Sequence, residues 1–580
     1  MKIALAQIDP TVGDFVGNVA KILAFAERAG ALEADLVLFP ELAVCGYWPA
    51  DLLEKKAFVD RAGEALKEVC AWTKQPGRPA ILCGGVIPVE GGREGKSISN
   101  VAMLMAGGEV RAVQGKMLLP FYDVFDEQRY FEPAETQTLV SIRTAEGMEQ
   151  LAITVCEDAW NDKGFWPRRR YSVDPVERLM EVWGSQEPTL NEQQRVIVNI
   201  SASPYWQGKR CVRERMLGAL ARRHKAFVAM TNQVGGNDSL IFDGSSLAVG
   251  PDGSVVAQAA SFAEDLVLFD TSTNGRGVHA NGASAESACD EEMFAENKDF
   301  EVKATWDALV LGTRDYVRKC GFSKALVGLS GGIDSALVAA IAVEALGADN
   351  VMGIGMPSGY SSEGSKDDAR DLAQRLGVRF EMLPIRDDFE ALMRTLDPLF
   401  HGTPFGLAEE NLQSRLRGVL LMALSNKFGA LVLTTGNKSE MSVGYCTLYG
   451  DMVGALAVIG DLMKTRVYQL SRYANREREI IPQATISKAP SAELRPEQKD
   501  TDSLPPYEVL DPILEAYVEH YCSAEQIARE QGVDVELVRQ VLKLVERSEY
   551  KRQQAAPVLK ITQKSFGMGR RFPIAVKVEV

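Results

Sequence analysis

Histidine is scarce in this chain of 580 residues: His224, His279, His401 and His520 are all there is, far apart and in no ligand spacing. A histidine-rich metal centre is not expected, and no nucleophile elbow announces a Ser-His-Asp triad. The nine cysteines are scattered and odd in number. They form no Cys-x-x-Cys pair, so neither a disulfide framework nor a zinc site is indicated. No apolar run reaches the ~18 residues that a membrane helix needs. The start, Met1-Lys-Ile-Ala-Leu-Ala-Gln7, reads as a strand rather than a signal peptide. A cytoplasmic protein with no membrane partner is expected. Positive charge is short as well, and a formal net charge of −15 speaks against nucleic acid as a partner. A small phosphorylated ligand held by local basic groups is still allowed.

What is present is ordinary for a soluble globular protein, 46% apolar and 25% charged. The length exceeds one hydrophobic core, so two or more domains are expected. Strand patterns recur at Ile3–Ile8, Leu36–Phe39, Ala80–Gly84, Val101–Met105, Leu151–Val155, Val196–Ile200 and Phe227–Thr231, with helical spacing at Asn18–Ala29 and Arg213–His224. That order predicts an α/β layered domain over 1–275. The polar, glycine-rich stretch from Ser272 to Ser287 predicts a linker, taken as 276–300. Over 301–580 strands and helices alternate: helix Thr305–Cys320, strand Ala325–Leu329, helix to Leu346, strand Val351–Ile354, helix Ser365–Leu376, strand Arg379–Leu383, helix Glu410–Lys427, strand Leu431–Thr434. This is the rhythm of a doubly wound parallel sheet.

At the first strand of that second half, the apolar run breaks into Ser330-Gly331-Gly332-Ile333-Asp334-Ser335 and a buried helix begins. Glycines let the backbone approach an anion, and the helix N-terminus offers free N–H groups. Two serines add hydroxyl donors. Asp334 beside phosphate implies an intervening cation. The Gly-Lys-Ser/Thr ending of a Walker loop is missing. In the first half three residues stand where strand patterns end: Glu41 after Leu36–Pro40, Lys116 in Gly115–Pro120, and Cys156 after Leu151–Val155. Singly, each has a bland reading as cap, solvated lysine or core cysteine. Together, a lysine stabilises the thiolate, a glutamate takes its proton, and a thioester forms with an amide without any histidine.

The hexapeptide in its strand–helix frame resembles the pyrophosphate loop of ATP pyrophosphatases, which leave AMP on a carboxyl or carbonyl. The Glu–Lys–Cys set, in the contexts Phe39-Pro-Glu-Leu42, Gly115-Lys116 and Val155-Cys-Glu157, resembles the nitrilase (carbon–nitrogen hydrolase) superfamily. Further segments match: Gly355-Met-Pro-Ser358, Glu410–Arg415, Leu433–Glu440, Gly444–Asp451, Pro490–Pro496, Lys551-Arg552 and Gly567–Arg571. With them the chain resembles the glutamine-dependent NAD synthetases over nearly its full length.

The resemblance implies an N-terminal α-β-β-α sandwich and a C-terminal adenine nucleotide α-hydrolase-like sheet. It implies ATP-dependent amidation of deamido-NAD through an adenylated intermediate, with ammonia released from glutamine. By it, Glu41 is the general base, Lys116 steadies the tetrahedral intermediate and Cys156 is the nucleophile. Tyr122, Ser203 and Lys209 bind glutamine. Gly328, Leu329, Ser330, Gly331, Gly332, Ile333, Asp334, Ser335 and Thr435 hold ATP. Asn411, Glu440, Tyr445, Cys446, Thr447, Leu448 and Lys551 hold deamido-NAD, and Asp334 and Glu440 bind Mg²⁺. A homo-oligomer and a sealed path for ammonia are also implied.

Two departures stand out. The charged stretch from Pro167 to Gln194 is longer than the family pattern and reads as a solvated insertion. Trp48 and Ala50 stand where proline and glutamate are expected. Two other readings remain open at this point. One is an amidotransferase of the GMP-synthetase or asparagine-synthetase kind, against which the Glu41, Lys116 and Cys156 set argues. The other is an amidase whose second half only senses nucleotide.

Overall fold

The computed structural model describes residues 1–580 except 93, 145–146, 186–193, 274–277, 280–297, 497 and 578–580. The linker expected at 276–300 lies outside the described residues, save 278–279 and 298–300. The chain divides into two compact units, Met1–Asn237 with Ile241–Asn297, and Asp238–Leu240 with Lys298–Val580.

Among its described residues the first unit carries fifteen strands: β1 Lys2–Gln7, β2 Leu36–Leu38, β3 Ala80–Pro88, β4 Ile98–Ala106, β5 Glu109–Gly115, β6 Leu139–Thr144, β7 Gly147–Val155, β8 Arg195–Ser201, β9 Ala226–Asn232, β10 Val234–Asn237, β11 Leu240–Asp243, β12 Leu247–Val249, β13 Val255–Gln258, β14 Asp265–Asp270 and β15 Val278–His279. They form two mixed sheets, β15-β14-β1-β2-β3-β4-β5 and β13-β12-β9-β8-β7-β6, with β10 and β11 paired apart. Period-two alternation explains the layering. Ile3 and Leu5 of β1 meet Leu151, Ile153 and Val155 of β7 and Val196, Val198 and Ile200 of β8 in one core between the sheets. The intervening Ala152 and Ile197 point outward, against Leu179 and Trp183 and against Leu217 and Leu220 of helix Lys209–His224. Helices Phe15–Ala31 and Lys56–Trp72 pack on β1 and β3. The result is the expected α-β-β-α sandwich.

The solvated insertion expected from 167 onward is corrected in part. Asp174 caps a helix, Pro175–Gly184, which buries Val176, Leu179, Met180 and Trp183 on the outer face of the second sheet. Leucine and tryptophan at helical spacing outweigh the surrounding charge. Arg168, Arg169 and Arg170 are exposed as expected, and 186–193 lie outside the described residues.

The second unit contains β16 Ala325–Gly328, β17 Val351–Gly355, β18 Arg379–Met382, β19 Leu431–Thr434 and β20 Leu456–Ala457. All are parallel, in the order β18-β17-β16-β19-β20. The order reverses between β16 and β19, which leaves a crevice at their carboxyl ends. Helices Lys298–Lys319 and Lys464–Ala474 pack on helix Ile333–Leu346, which lies against β16. On the other face, Leu421 of helix Leu407–Phe428 joins Leu326, Ile354 and Val432. Helices Tyr507–Val518, Ala524–Gln531 and Val535–Arg547 build a second core with Met441 and Val443.

Candidate active sites

In the first unit, β7 ends at Val155 and the chain turns sharply. Cys156 adopts φ 45° and opens a short 3-10 turn, Cys156–Ala159. Asp158 ties this turn to the segment after Lys116: its Oδ1 accepts the Met117 and Leu118 N–H groups at 3.0 and 2.8 Å, and its Oδ2 accepts Val155 N–H at 3.1 Å. Lys116, fully buried, donates from Nζ to Glu41 Oε1 at 2.7 Å and to Glu127 Oε1 at 2.8 Å. Asn100 Nδ2 donates to Glu41 Oε1 at 2.6 Å, and Ala202 N–H to Oε2 at 3.0 Å. Tyr47 Oη donates to Glu127 at 2.9 Å.

Burial lowers the pKa of Lys116, but the charges of Glu127 and Glu41 outweigh it and hold the pKa well above that of free lysine. Burial, with Glu41's charge, lifts the Cys156 thiol well above its usual range. The thiol is therefore protonated at rest and needs a base. Burial raises Glu127 to about 7, with Lys116 opposing and Glu41 adding to the rise. Two of the three ammonium protons of Lys116 are engaged, which leaves one donor for a developing oxyanion.

Tyr122, Ser203 and Lys209 lie around this centre. Tyr122 Oη donates to both oxygens of Glu157, at 2.8 and 2.9 Å, beside the nucleophile candidate. Ser203 follows Ala202 and is fixed by its N–H to Asn232 Oδ1 at 2.8 Å. Lys209 Nζ donates to Pro204 O at 2.7 Å, lies over the Trp160 ring, and acts electrostatically on Glu157.

In the second unit, a cavity of ≈ 400 Å³ opens at the crevice. Gly328, Leu329, Ser330, Gly332, Ile333, Asp334, Ser335 and Thr435 line it. Gly332 caps helix Ile333–Leu346 and has no side chain to satisfy the first-turn N–H groups, which suits an anion. Gly331 does not line the cavity; it lies against helix Glu363–Leu376 at φ +81°, and a Cβ there would sit 2.3 Å from Ser365 O. Gly331→Ala is expected to cost about 1–3 kcal/mol of strain. A lowered melting temperature would show it.

Asn411, Glu440, Tyr445, Cys446, Thr447 and Lys551 also line the cavity, whereas Leu448 does not and offers only its carbonyl, to Arg415 Nε at 3.2 Å. Lys551 Nζ donates to Gly444 O and Cys446 O at 2.7 and 2.6 Å and so shapes the turn that Thr447 anchors to Asn411 at 2.8 Å. Asp334 Oδ1 accepts from Asn437 at 2.9 Å, and its Oδ2 from Lys464 Nζ at 2.5 Å. The same ammonium donates to Glu440 Oε1 at 3.1 Å. Burial raises Glu440 to about 8, Lys464 opposing and Asp334 adding. Among the described residues no three or more His, Cys, Asp or Glu side chains are grouped to hold a metal.

Glu127, Asn100, Asn437 and Lys464 go unassigned in the sequence. Asn100 leaves a signal, one amide in the buried apolar strand Ile98–Ala106. Lys464 leaves none.

Residues 2–170 and 189–275 match the carbon-nitrogen hydrolase family, and residues 305–555 match NAD synthase. The glutamine-dependent NAD(+) synthetase of a Synechocystis species is 48% identical over 575 residues, 99% of this chain and 98% of the relative. That of Thermotoga maritima is 40% identical over 597 residues, again 99% and 98%. The solved structure of glutamine-dependent NAD+ synthetase from Acinetobacter baumannii, in complex with ADP, aligns with a TM-score of 0.73 at 38% identity, covering 99% of this chain and 98% of that one. The chain belongs to the glutamine-dependent NAD(+) synthetase family.

Proposed function

We propose that this protein makes NAD from deamido-NAD, ATP and glutamine, with a glutaminase domain over 1–275 and a synthetase domain over 301–580. The observation that carries the first half is the buried Glu41–Lys116 pair with Cys156 on the adjoining turn. Cys156 Sγ attacks the amide carbon of glutamine while Glu41 takes the thiol proton. Lys116 stabilises the oxyanion. The collapsing intermediate expels ammonia, which carries off the proton from Glu41. Water then hydrolyses the thioester to glutamate. Tyr122, Ser203 and Lys209 orient the substrate.

At the second cavity the nicotinate carboxylate attacks the α-phosphorus of ATP and pyrophosphate leaves. Ammonia adds to the carbonyl of the mixed anhydride, and AMP departs. Residues 328–335 with Thr435 hold the triphosphate; Asn411, Glu440, Tyr445–Leu448 and Lys551 hold the dinucleotide. The donor set fits Mg²⁺. Asp334 and Glu440 converge on one ammonium, and Glu440, raised chiefly by burial with Asp334's charge adding, is a carboxyl that a bound cation would ionise. Mg²⁺ takes one or two carboxylates plus substrate phosphates, and when bound it offsets charge on the departing pyrophosphate.

No helix among the described residues is long and apolar enough to cross a membrane, which accords with a cytoplasmic enzyme. A homo-oligomer accords with helix Arg386–Phe400, which has no buried residue, and with Leu399 and Leu407, 80% and 72% exposed. The decisive test is stoichiometry: deamido-NAD, ATP and glutamine should yield NAD, AMP, pyrophosphate and glutamate one for one. Glutamine hydrolysis with no ATP turnover would instead support an amidase with a nucleotide sensor.

A further inference from the structure

Glu41 has two oxygens, and they are not equivalent. Oε1 accepts from Lys116 Nζ at 2.7 Å and Asn100 Nδ2 at 2.6 Å, which occupies both of its in-plane lone pairs. Among the described residues Oε2 accepts a single hydrogen bond, the longer one from Ala202 N–H. Asn100 is fully buried on β4, and its backbone carbonyl accepts Lys116 N–H at 2.8 Å, so one residue touches both members of the ion pair. Its amide orientation is set by charge. The reverse orientation would press Oδ1 against the Glu41 carboxylate, and Nδ2 also faces Glu127 Oε2 at 3.5 Å. Among the described residues this orientation leaves Asn100 Oδ1 buried with no hydrogen-bond partner. Buried amides rarely leave an oxygen unpaired unless their other end is needed.

We propose that Asn100 is a positioning residue of the amide-hydrolysing site: with Lys116 it saturates Glu41 Oε1, so that Oε2 is the atom that takes the Cys156 proton. The proposal rests on the glutaminase reading above and deepens it. Among the described residues the charged and titratable groups that act on Glu41 are Lys116, Glu127, Cys156, Cys45 and Tyr47. Removing the Asn100 donor takes one of the two hydrogen bonds from Oε1, and the carboxylate is free to swing.

The test uses the full-length protein and two variants, Asn100→Ala and Asn100→Asp, with glutamate release followed across pH and ammonia-driven synthesis measured alongside. Asn100→Ala should lower kcat for glutamine about 10- to 100-fold, a modest part of what a general base supplies. KM should change little. Asn100→Asp is isosteric but sets a third carboxylate against Glu41 and Glu127, so it should fall at least about tenfold below the alanine variant. A residue that merely fills space predicts the opposite order, with aspartate near wild type and alanine worse. That order, a raised KM with kcat unchanged, or loss of ammonia-driven synthesis in either variant would each overturn the proposal. Cys156→Ala in the same assay separates the two levels, because persistent glutamine hydrolysis there sinks the glutaminase reading itself, whatever Asn100 does.

Discussion

Cys156→Ala is expected to reduce glutamine-driven NAD synthesis by roughly 10⁴-fold or more, the scale seen when a covalent nucleophile is removed, while ammonia-driven synthesis stays within about twofold. The first expectation follows from chemistry. Among the described residues no other thiol is placed to substitute: Cys45 and Cys83 are also buried, and neither opens the turn beside Lys116. The second expectation follows from the fold. Cys156 belongs to the core between the two sheets of the first unit, and a one-atom truncation there opens a small cavity, not an unpaired charge. The Glu41–Lys116–Glu127 cluster keeps all its own bonds. Initial rates with saturating glutamine, and separately with ammonium at fixed free ammonia, give both numbers. A folded variant that has lost both activities would contradict the assignment of separate nitrogen-releasing and nitrogen-accepting centres.

The parts legible in the sequence share a physical cause. The sandwich strands are covered on both faces, so β1, the second half of β7 and β8 read as near-continuous apolar runs, and each ends at or just before a polar or reactive residue that the sheet must present. The turn after β16 is legible because only glycine permits the φ of Gly331 against Ser365 O. Residues whose role comes from long-range contact are not legible. Glu127 sits in Asp126-Glu-Gln-Arg129, a string that looks like solvated surface, yet it is fully buried on Lys116. Lys464 reaches Asp334 across 130 positions of chain. The helix Val535–Arg547 can be read from Val538, Val541, Leu542 and Val545 at helical spacing, but not its docking on the core that holds Met441 and Val443. Trp183 shows the converse error, in which charged neighbours hide a core helix.

Asp334→Ala is expected to remove synthesis from both nitrogen sources, by about 10³-fold or more if metal-assisted charge neutralisation at the phosphates is worth several kcal/mol. Activation of the carboxyl precedes the arrival of any nitrogen, so ammonia cannot bypass the defect as it bypasses Cys156→Ala. The local structure should survive. Lys464 retains Glu440 as a partner, and Asn437 retains its cap on Glu440 N–H, so no buried charge is stranded. Glu440 should even become easier to ionise, since the Asp334 charge that helps raise its pKa is gone. One carboxylate beside one ammonium is then a neutral pair, which weakens the hold on a dication. Two measurements decide the matter: pyrophosphate release with ATP and deamido-NAD, and the magnesium dependence of the residual rate. The wild type should show a saturable requirement and the variant a weakened one. Wild-type pyrophosphate release from Asp334→Ala would remove Asp334 from the metal site, and with it the reason for a carboxylate at the start of the helix that follows β16.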